Sequence, residues 1–323
     1  MNGLRLLVVA AAAAVAAAVA SGAPSAPPPP AAAFKAPLAT KAPLLGIAHA
    51  GARLVAVGDH GVIILSDDGG GTWRQASAVP TREMLTAVAF VDAKRGFAVG
   101  HGGLVLGSTD GGETWTHNYA AGDDVVLLSV WFENADHGIV AGAFGFAAAT
   151  HDGGRTWKVF EVGAGDDRDR HLNAVFAPPG GPLFIAAEAG TLFRSADGGA
   201  TWTTVRLPYN GSLWGGIPVR DGGTLVFGMR GHALLSPDQG RTWTDVPTGT
   251  VESWSGGLQL ADGTIVLVGL GGAVARSIDG GRSFATTIRP ERQTSAAVAE
   301  GAPGQLVIVG LNGVAAATAA ATQ

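Results

Sequence analysis

The sequence predicts an all-β chain folded as a seven-bladed β-propeller with four-stranded antiparallel blades. Two recurring phrases and the lack of any helical period lead to that reading. The first phrase is SDDGGGTW at 66–73, STDGGETW at 108–115, THDGGRTW at 150–157, SADGGATW at 195–202, SPDQGRTW at 236–243 and SIDGGRSF at 277–284. Its central aspartates, Asp68, Asp110, Asp152, Asp197, Asp238 and Asp279, lie 42, 42, 45, 41 and 41 residues apart. The second phrase is a strand ending in a Gly-bearing turn, followed by a strand that runs into the box. It occurs at 57–66, 99–108, 141–150, 186–195, 227–236 and 268–277, and once more at 309–318, where no box follows. Short apolar runs bounded by Gly turns are hairpin strands. Repeated every ~40–45 residues, they signify radial repetition of one small sheet. Seven turns against six boxes make seven blades, the last one shorter than the rest.

Each element of the repeat has a physical reason. The box aspartate accepts hydrogen bonds from backbone N–H groups of its turn, and the Ser or Thr hydroxyl acts locally in the same way. The glycines permit positive φ where the chain reverses. Trp73, Trp115, Trp157, Trp202 and Trp243 offer flat surfaces that fill the space between blades. In the sixth box Ser283 and Phe284 replace Thr and Trp. A calcium site at these turns would need six or more oxygens, and one carboxylate per box does not supply them. The boxes are therefore read as scaffold, with no metal and no cofactor.

The ends of the chain divide the rest. Residues 1–20 read as a secretory signal: Arg5, an apolar run from Leu6 to Ala20, then the small residues Ala18-Val19-Ala20 before Ser21. A retained N-terminal anchor is the alternative reading. The expected location is exported, periplasmic or extracellular. Residues 21–33, with prolines at 27–30, form an extended linker outside the fold. Residues 34–323 form a single propeller domain. Its seventh blade lacks an outer strand after Thr318, and an open ring would expose an unpaired edge. The segment 34–41 is expected to fill that outer position and close the ring, with Pro37 tolerated on an outermost strand.

Composition excludes several classes. There is no cysteine, hence no disulfide, thiolate chemistry or Cys-ligated metal. A net charge of −5 with scattered arginines leaves no basic footprint for nucleic acid. His60, His101 and His232 recur near the Gly turns of three blades, but repeat positions diverge around a ring and do not gather on one ion. No nucleophile with a partner base, and no second carboxylate, is visible, so no catalytic residue is assigned.

Boxes occupy the turn between third and outermost strands, so the Gly turns and blade-to-blade loops share the opposite face. Binding residues concentrate on such loops. The longest, from Val162 to Leu172, carries Arg168 and Arg170. Tyr209 lies in the next one, Arg292 in the loop after blade six, and Trp214 and Trp254 near the starts of successive innermost strands. Counted from the Gly turns, the two tryptophans are one residue apart in phase, and both are expected to rim the central channel; Trp131 is expected in the core. Trp, Tyr and Arg dominate interface energetics. Arg168, Arg170, Tyr209, Trp214, Trp254 and Arg292 are therefore the candidate partner-binding set.

The SxDGGxTW box at this period, preceded by VGxxGxxxxS, resembles the bacterial neuraminidase repeat, or Asp-box, propellers. Within them the chain is similar to the photosystem II stability and assembly factor family, over nearly all of the chain after the linker. The resemblance implies a non-enzymatic scaffold that binds a protein client or peptide segment, such as part of a membrane complex, through one face. The arginine cluster of the photosynthetic members has no counterpart here, so the implied role is the scaffold and not the client. The sequence thus reads as an exported monomeric scaffold aiding assembly or stability of an envelope complex. The alternative is a carbohydrate-binding or sialidase-like glycosidase propeller, with Trp214, Trp254 and Tyr209 as a sugar platform. Against sialidase chemistry, the N-terminal Arg-Ile-Pro motif is missing, and Tyr119 and Tyr209 are the sole tyrosines.

Overall fold

The computed structural model describes residues 31–318. The secretory signal expected at 1–20 and all but the last residues of the linker lie outside them. Seven antiparallel sheets follow one another along the chain, six of four strands and one of three. Blade 1 comprises Leu44–Ala50, Arg53–Gly58, Ile63–Ser66 and Arg74–Gln75, and blade 2 Leu85–Phe90, Gly96–Gly100, Leu104–Ser108 and Thr116–Ala120. Blade 3 comprises Leu127–Phe132, Gly138–Gly142, Ala147–Thr150 and Lys158–Val159, and blade 4 Leu172–Phe176, Leu183–Ala187, Thr191–Ser195 and Thr203–Arg206. Blade 5 comprises Leu213–Val219, Gly223–Gly228, Ala233–Ser236 and Thr244–Val246, and blade 6 Trp254–Gln259, Ile265–Gly269, Ala273–Ser277 and Ala285–Ile288. Blade 7 holds Ser295–Glu300, Gln305–Gly310 and Gly313–Thr318.

The second strands are buried along their length because a neighbouring blade covers each face. That is why they read as continuous apolar runs and not as alternation. Box aromatics fill the gaps between blades: Trp157 approaches Tyr119 at 6.2 Å, Trp202 stacks on Phe160 at 6.3 Å, and Trp243 meets Phe184 edge-on at 6.2 Å. Every innermost strand starts with a β-bulge one residue in, at Leu45, Thr86, Leu128, Asn173, Trp214, Ser255 and Ala296. Three bulge side chains stitch blade to blade. Thr86 Oγ1 donates to Leu127 O at 2.6 Å, Asn173 Nδ2 to Leu213 O at 2.7 Å and Ser255 Oγ to Ser295 O at 2.6 Å.

The ring closes where Leu44–Ala50 packs against Ser295–Glu300, with Trp73, Ala297 and Val314 packed against the one core cluster that holds Leu44 and Val309. The expected closing strand is corrected. Residues 34–38 have no regular structure, Ala39–Lys41 forms one 3₁₀ turn, and blade 7 stays three-stranded among the described residues. Ala33 N donates to Val79 O at 2.9 Å, and Gln75 brackets the segment by donating to Phe34 O at 2.7 Å and accepting from Ala36 N at 3.0 Å. Further on, a Cβ on Gly313 would collide with Thr40 O, as one on Gly231 would with Thr250 O. The N-terminal segment therefore takes the place of a blade-to-blade loop. Geometry requires it: Lys41 is three residues from Leu44, a reach of at most ~10 Å, and Leu44 begins an innermost strand. The linker boundary shifts too, since Ala33 is tied down and Ala32 O accepts from Arg82 Nε at 2.9 Å.

Candidate partner-binding face

The boxes are closed hydrogen-bond systems. Asp68 Oδ1 accepts from Thr72 N at 2.9 Å and Ser66 Oγ at 2.8 Å, and Oδ2 accepts from Thr72 Oγ1 at 2.6 Å. Ser66 Oγ in turn accepts from Gly70 N at 2.8 Å, and Trp73 Nε1 donates to Gly70 O at 3.0 Å. Gly69 and Gly70 take φ of 72° and 99°, which a side chain would resist. The carboxylate bonds recur at Asp110, Asp152, Asp197, Asp238 and Asp279, whereas Trp157 Nε1 donates instead to Asn118 Oδ1 at 3.0 Å and Phe284 has no ring N–H to give. Hydrogen bonds from the Thr72 side chain and amide hold Asp68 down to about 2, and Thr201 does the same for Asp197. At Asp110 burial pushes upward, and hydrogen bonds from Thr114 and Ser108 outweigh it, so this carboxyl is also lowered. Both carboxylate oxygens are engaged within the turn.

On the opposite face the predicted residues have different fates. Trp254 is corrected: it is fully buried between blades 5 and 6, and its Nε1 donates to Gly231 O at 3.2 Å. It occupies the first inner-strand position, where five blades have Leu44, Leu85, Leu127, Leu172 and Leu213. Trp214 lies one residue further, on the bulge, and is half-buried with no hydrogen bond from its indole N–H among the described residues. One residue of phase moves a strand side chain to the other face, so the two tryptophans cannot share one platform. Tyr209 is half-buried; its hydroxyl donates to Met229 O at 3.0 Å, its ring lies 4.3 Å from His232, and burial raises its pKa. Trp131 is not fully in the core, because it lines a cleft on the box face.

The Val162–Leu172 loop is built around a buried carboxylate. Asp167 accepts from Arg170 Nε at 2.7 Å and from Arg206 Nη2 at 2.6 Å, and the Arg206 bond foremost lowers its pKa against the effect of burial. Arg206 thus holds the loop to blade 4, and Arg170 turns inward to brace Asp167 within the loop. Arg168 is exposed and pairs with Glu161 at 3.3 Å. Arg292 is exposed at φ 48° beside the blade 6 turn, and its guanidinium has no ion-pair partner among the described residues. His60 is 3.6 Å from Asp59, and His232 is 3.3 Å from Asp245, so these histidines stay on separate blades.

The sequence reading missed the strongest feature of this face. Phe144 sits at the apex of the blade 3 turn with φ 53° and ψ 42°, and its side chain is 72% exposed. A bulky residue in the left-handed region is strained, and an exposed aromatic gains little from water. His171 supports it, with ring centroids 4.8 Å apart and Nδ1 accepting from Phe144 N at 3.1 Å. The equivalent apex positions hold His60, Ala189 and Arg230, also at positive φ. Aligning the Gly turns would have singled out Phe144. Among the described residues the exposed large apolar side chains also include Phe34, Leu38, Val251 and Leu311 on this face and Ile288 at its rim, opposite Ala273 beside the blade 6 turn; Val159 lies on an outer strand and Ile278 on the box face.

The box face carries clefts. A cleft of about 670 Å³ between blades 5 and 6 is lined by Arg220, Asp262, Ile278 and Arg282. It shares Arg220 and Gln259 with an apolar hollow of about 400 Å³ at Ile217, Pro218 and Leu258. That hollow shares Pro179 with a third cleft of about 570 Å³ beside Trp131 and Glu133.

With this geometry in hand, the chain is an Asp-box β-propeller, and it resembles photosystem II assembly factors. The family described as Photosynthesis system II assembly factor YCF48 matches residues 121–219, from the end of blade 2 into the inner strand of blade 5. The solved structure of YCF48 bound to D1 peptide superposes with a TM-score of 0.69 at 18% identity, covering 91% of this chain and 97% of that one. YCF48 from Cyanidioschyzon merolae gives 0.68 at 17% identity, covering 89% and 98%. A streptogramin B lyase gives 0.72 at 12% identity, covering 86% and 93%, so at these identities the likeness is one of fold. No curated protein matches the sequence.

Proposed function

We propose that this propeller is a non-enzymatic scaffold that binds a polypeptide client through its loop face, with Phe144 as an anchor. The observation that carries this reading is the strained, exposed Phe144 on a face that also presents Phe34, Leu38, Val251 and Leu311. Rigid aromatic anchors on a preformed surface bind with little loss of freedom. Arg168 and Arg292 supply charge at the same face, whereas Trp254 and Arg170 belong to its support. The similar fold of a YCF48 that binds a D1 peptide supports a peptide or protein as client. The N-terminal apolar pattern supports action outside the cytoplasm, where a scaffold of this kind would aid assembly of an envelope complex.

The test is a photo-crosslinking amino acid placed at Phe144 and, separately, at Ile278 on the box face, in the native host. A discrete polypeptide adduct from position 144 and none from 278 supports the reading; the reverse pattern defeats it. The confluent clefts favour a second reading, a glycan or small ligand on the box face, for which Trp131 and Leu258 would form the apolar floor. Glycan retention lost in Trp131→Ala would favour that alternative.

A further inference from the structure

The seventh blade differs from the others at its edge. In the other six blades a fourth strand pairs with the third, preceded by a box aromatic that packs between blades. Each interblade core cluster contains such a residue, from Trp73 through Phe284, except the one uniting blades 6 and 7 around Val266, Val298 and Ile308. Among the described residues the strand Gly313–Thr318 pairs only with Gln305–Gly310. Gly310 and Gly313 close a two-residue turn, so the amides of Gly313, Ala315 and Ala317 face the neighbouring strand. Those of Val314, Ala316 and Thr318 face outward.

Natural edges are blunted by charge. The outer strands of five blades carry Arg74, His117, Lys158, Arg206 and Asp245, and the sixth carries Thr286 and Thr287. Gly313–Ala317 has only Gly, Val and Ala. An uncharged row of N–H and C=O groups with no partner among the described residues is satisfied by one kind of occupant, an extended backbone.

We propose that the edge of Gly313–Thr318 takes a strand from a partner polypeptide, added antiparallel, with an aromatic residue just before it that seats between blades 6 and 7. Six internal copies of the arrangement show the geometry. The proposal is independent of the loop face.

The probe is a synthetic peptide of residues 108–120, the box and outer strand of blade 2, added to the full chain while amide exchange is followed. Binding of one peptide per chain is expected, with slowed exchange at Val314 and Ala316. Affinity should fall by about tenfold or more in Ala316→Pro, whose ring removes only an outward N–H, and for a peptide carrying Trp115→Ala. Should Ala316→Pro misfold, Ala316→Lys tests the same edge with a charge. Unchanged exchange at saturating peptide overturns the proposal. So does slow exchange at Ala316 in the free chain, whether independent of concentration, which means the chain covers its own edge, or rising with it, which means a second copy does.

Discussion

Trp254 Nε1 donates to Gly231 O at 3.2 Å across the boundary between blades 5 and 6, and Thr248 Oγ1 donates to the same carbonyl at 2.7 Å. The contact fixes the blade 5 turn to the next inner strand and keeps the indole out of solvent. Trp254→Ala is therefore expected to destabilise the domain by about 3–5 kcal/mol, the range for truncating a buried aromatic. Trp214→Ala, on the half-exposed bulge, should cost less than about 1 kcal/mol. Denaturant titration of the two variants measures the difference.

Removing a box carboxylate should act on stability alone. Asp110→Ala leaves the amide and hydroxyl of Thr114 without their acceptor and is expected to cost about 1–2 kcal/mol. Calcium should not move the melting temperature of the native chain, because the carboxylate oxygens are already engaged. A melting shift on calcium addition would contradict the structural role of the boxes.

Acid should unfold the ring through the same groups. Asp68, Asp152, Asp197, Asp238 and Asp279 are held at about 2, below the ordinary 3.8. A lowered folded pKa gives stability that is present above the unfolded value and lost as pH falls through the folded one. Melting temperature should be flat above about pH 5 and fall steeply between about pH 4 and pH 2. Asp197→Asn should make that fall shallower; an unchanged slope would show that the boxes are not its source.

The repeat was legible because its chemistry is local. Asp68 needs only Ser66 and Thr72, so period, fold and blade count follow from the string. What escaped depends on register and on distant partners. The one-residue phase between Trp214 and Trp254 is legible, but not that the first inner-strand position is buried and the second is a bulge, at Trp214 in blade 5 and Ser255 in blade 6; no residue type announces that bulge. Arg170 read as a free loop cation until Arg206, from the outer strand of blade 4, brought Asp167 into the interior. The N-terminal segment read as a strand because an edge needed one. The three residues from Lys41 to Leu44 decide otherwise.

Phe144→Gly tests most directly whether the loop face is the binding face. Glycine relieves the left-handed strain at φ 53° and removes the exposed ring. The variant should melt at or above the native temperature, with stability unchanged or raised by up to about 1 kcal/mol. Its crosslinked client should be retained at least about tenfold more weakly, the loss of one anchor side chain. Undiminished retention by a fully folded Phe144→Gly chain would contradict the loop face as the site of binding.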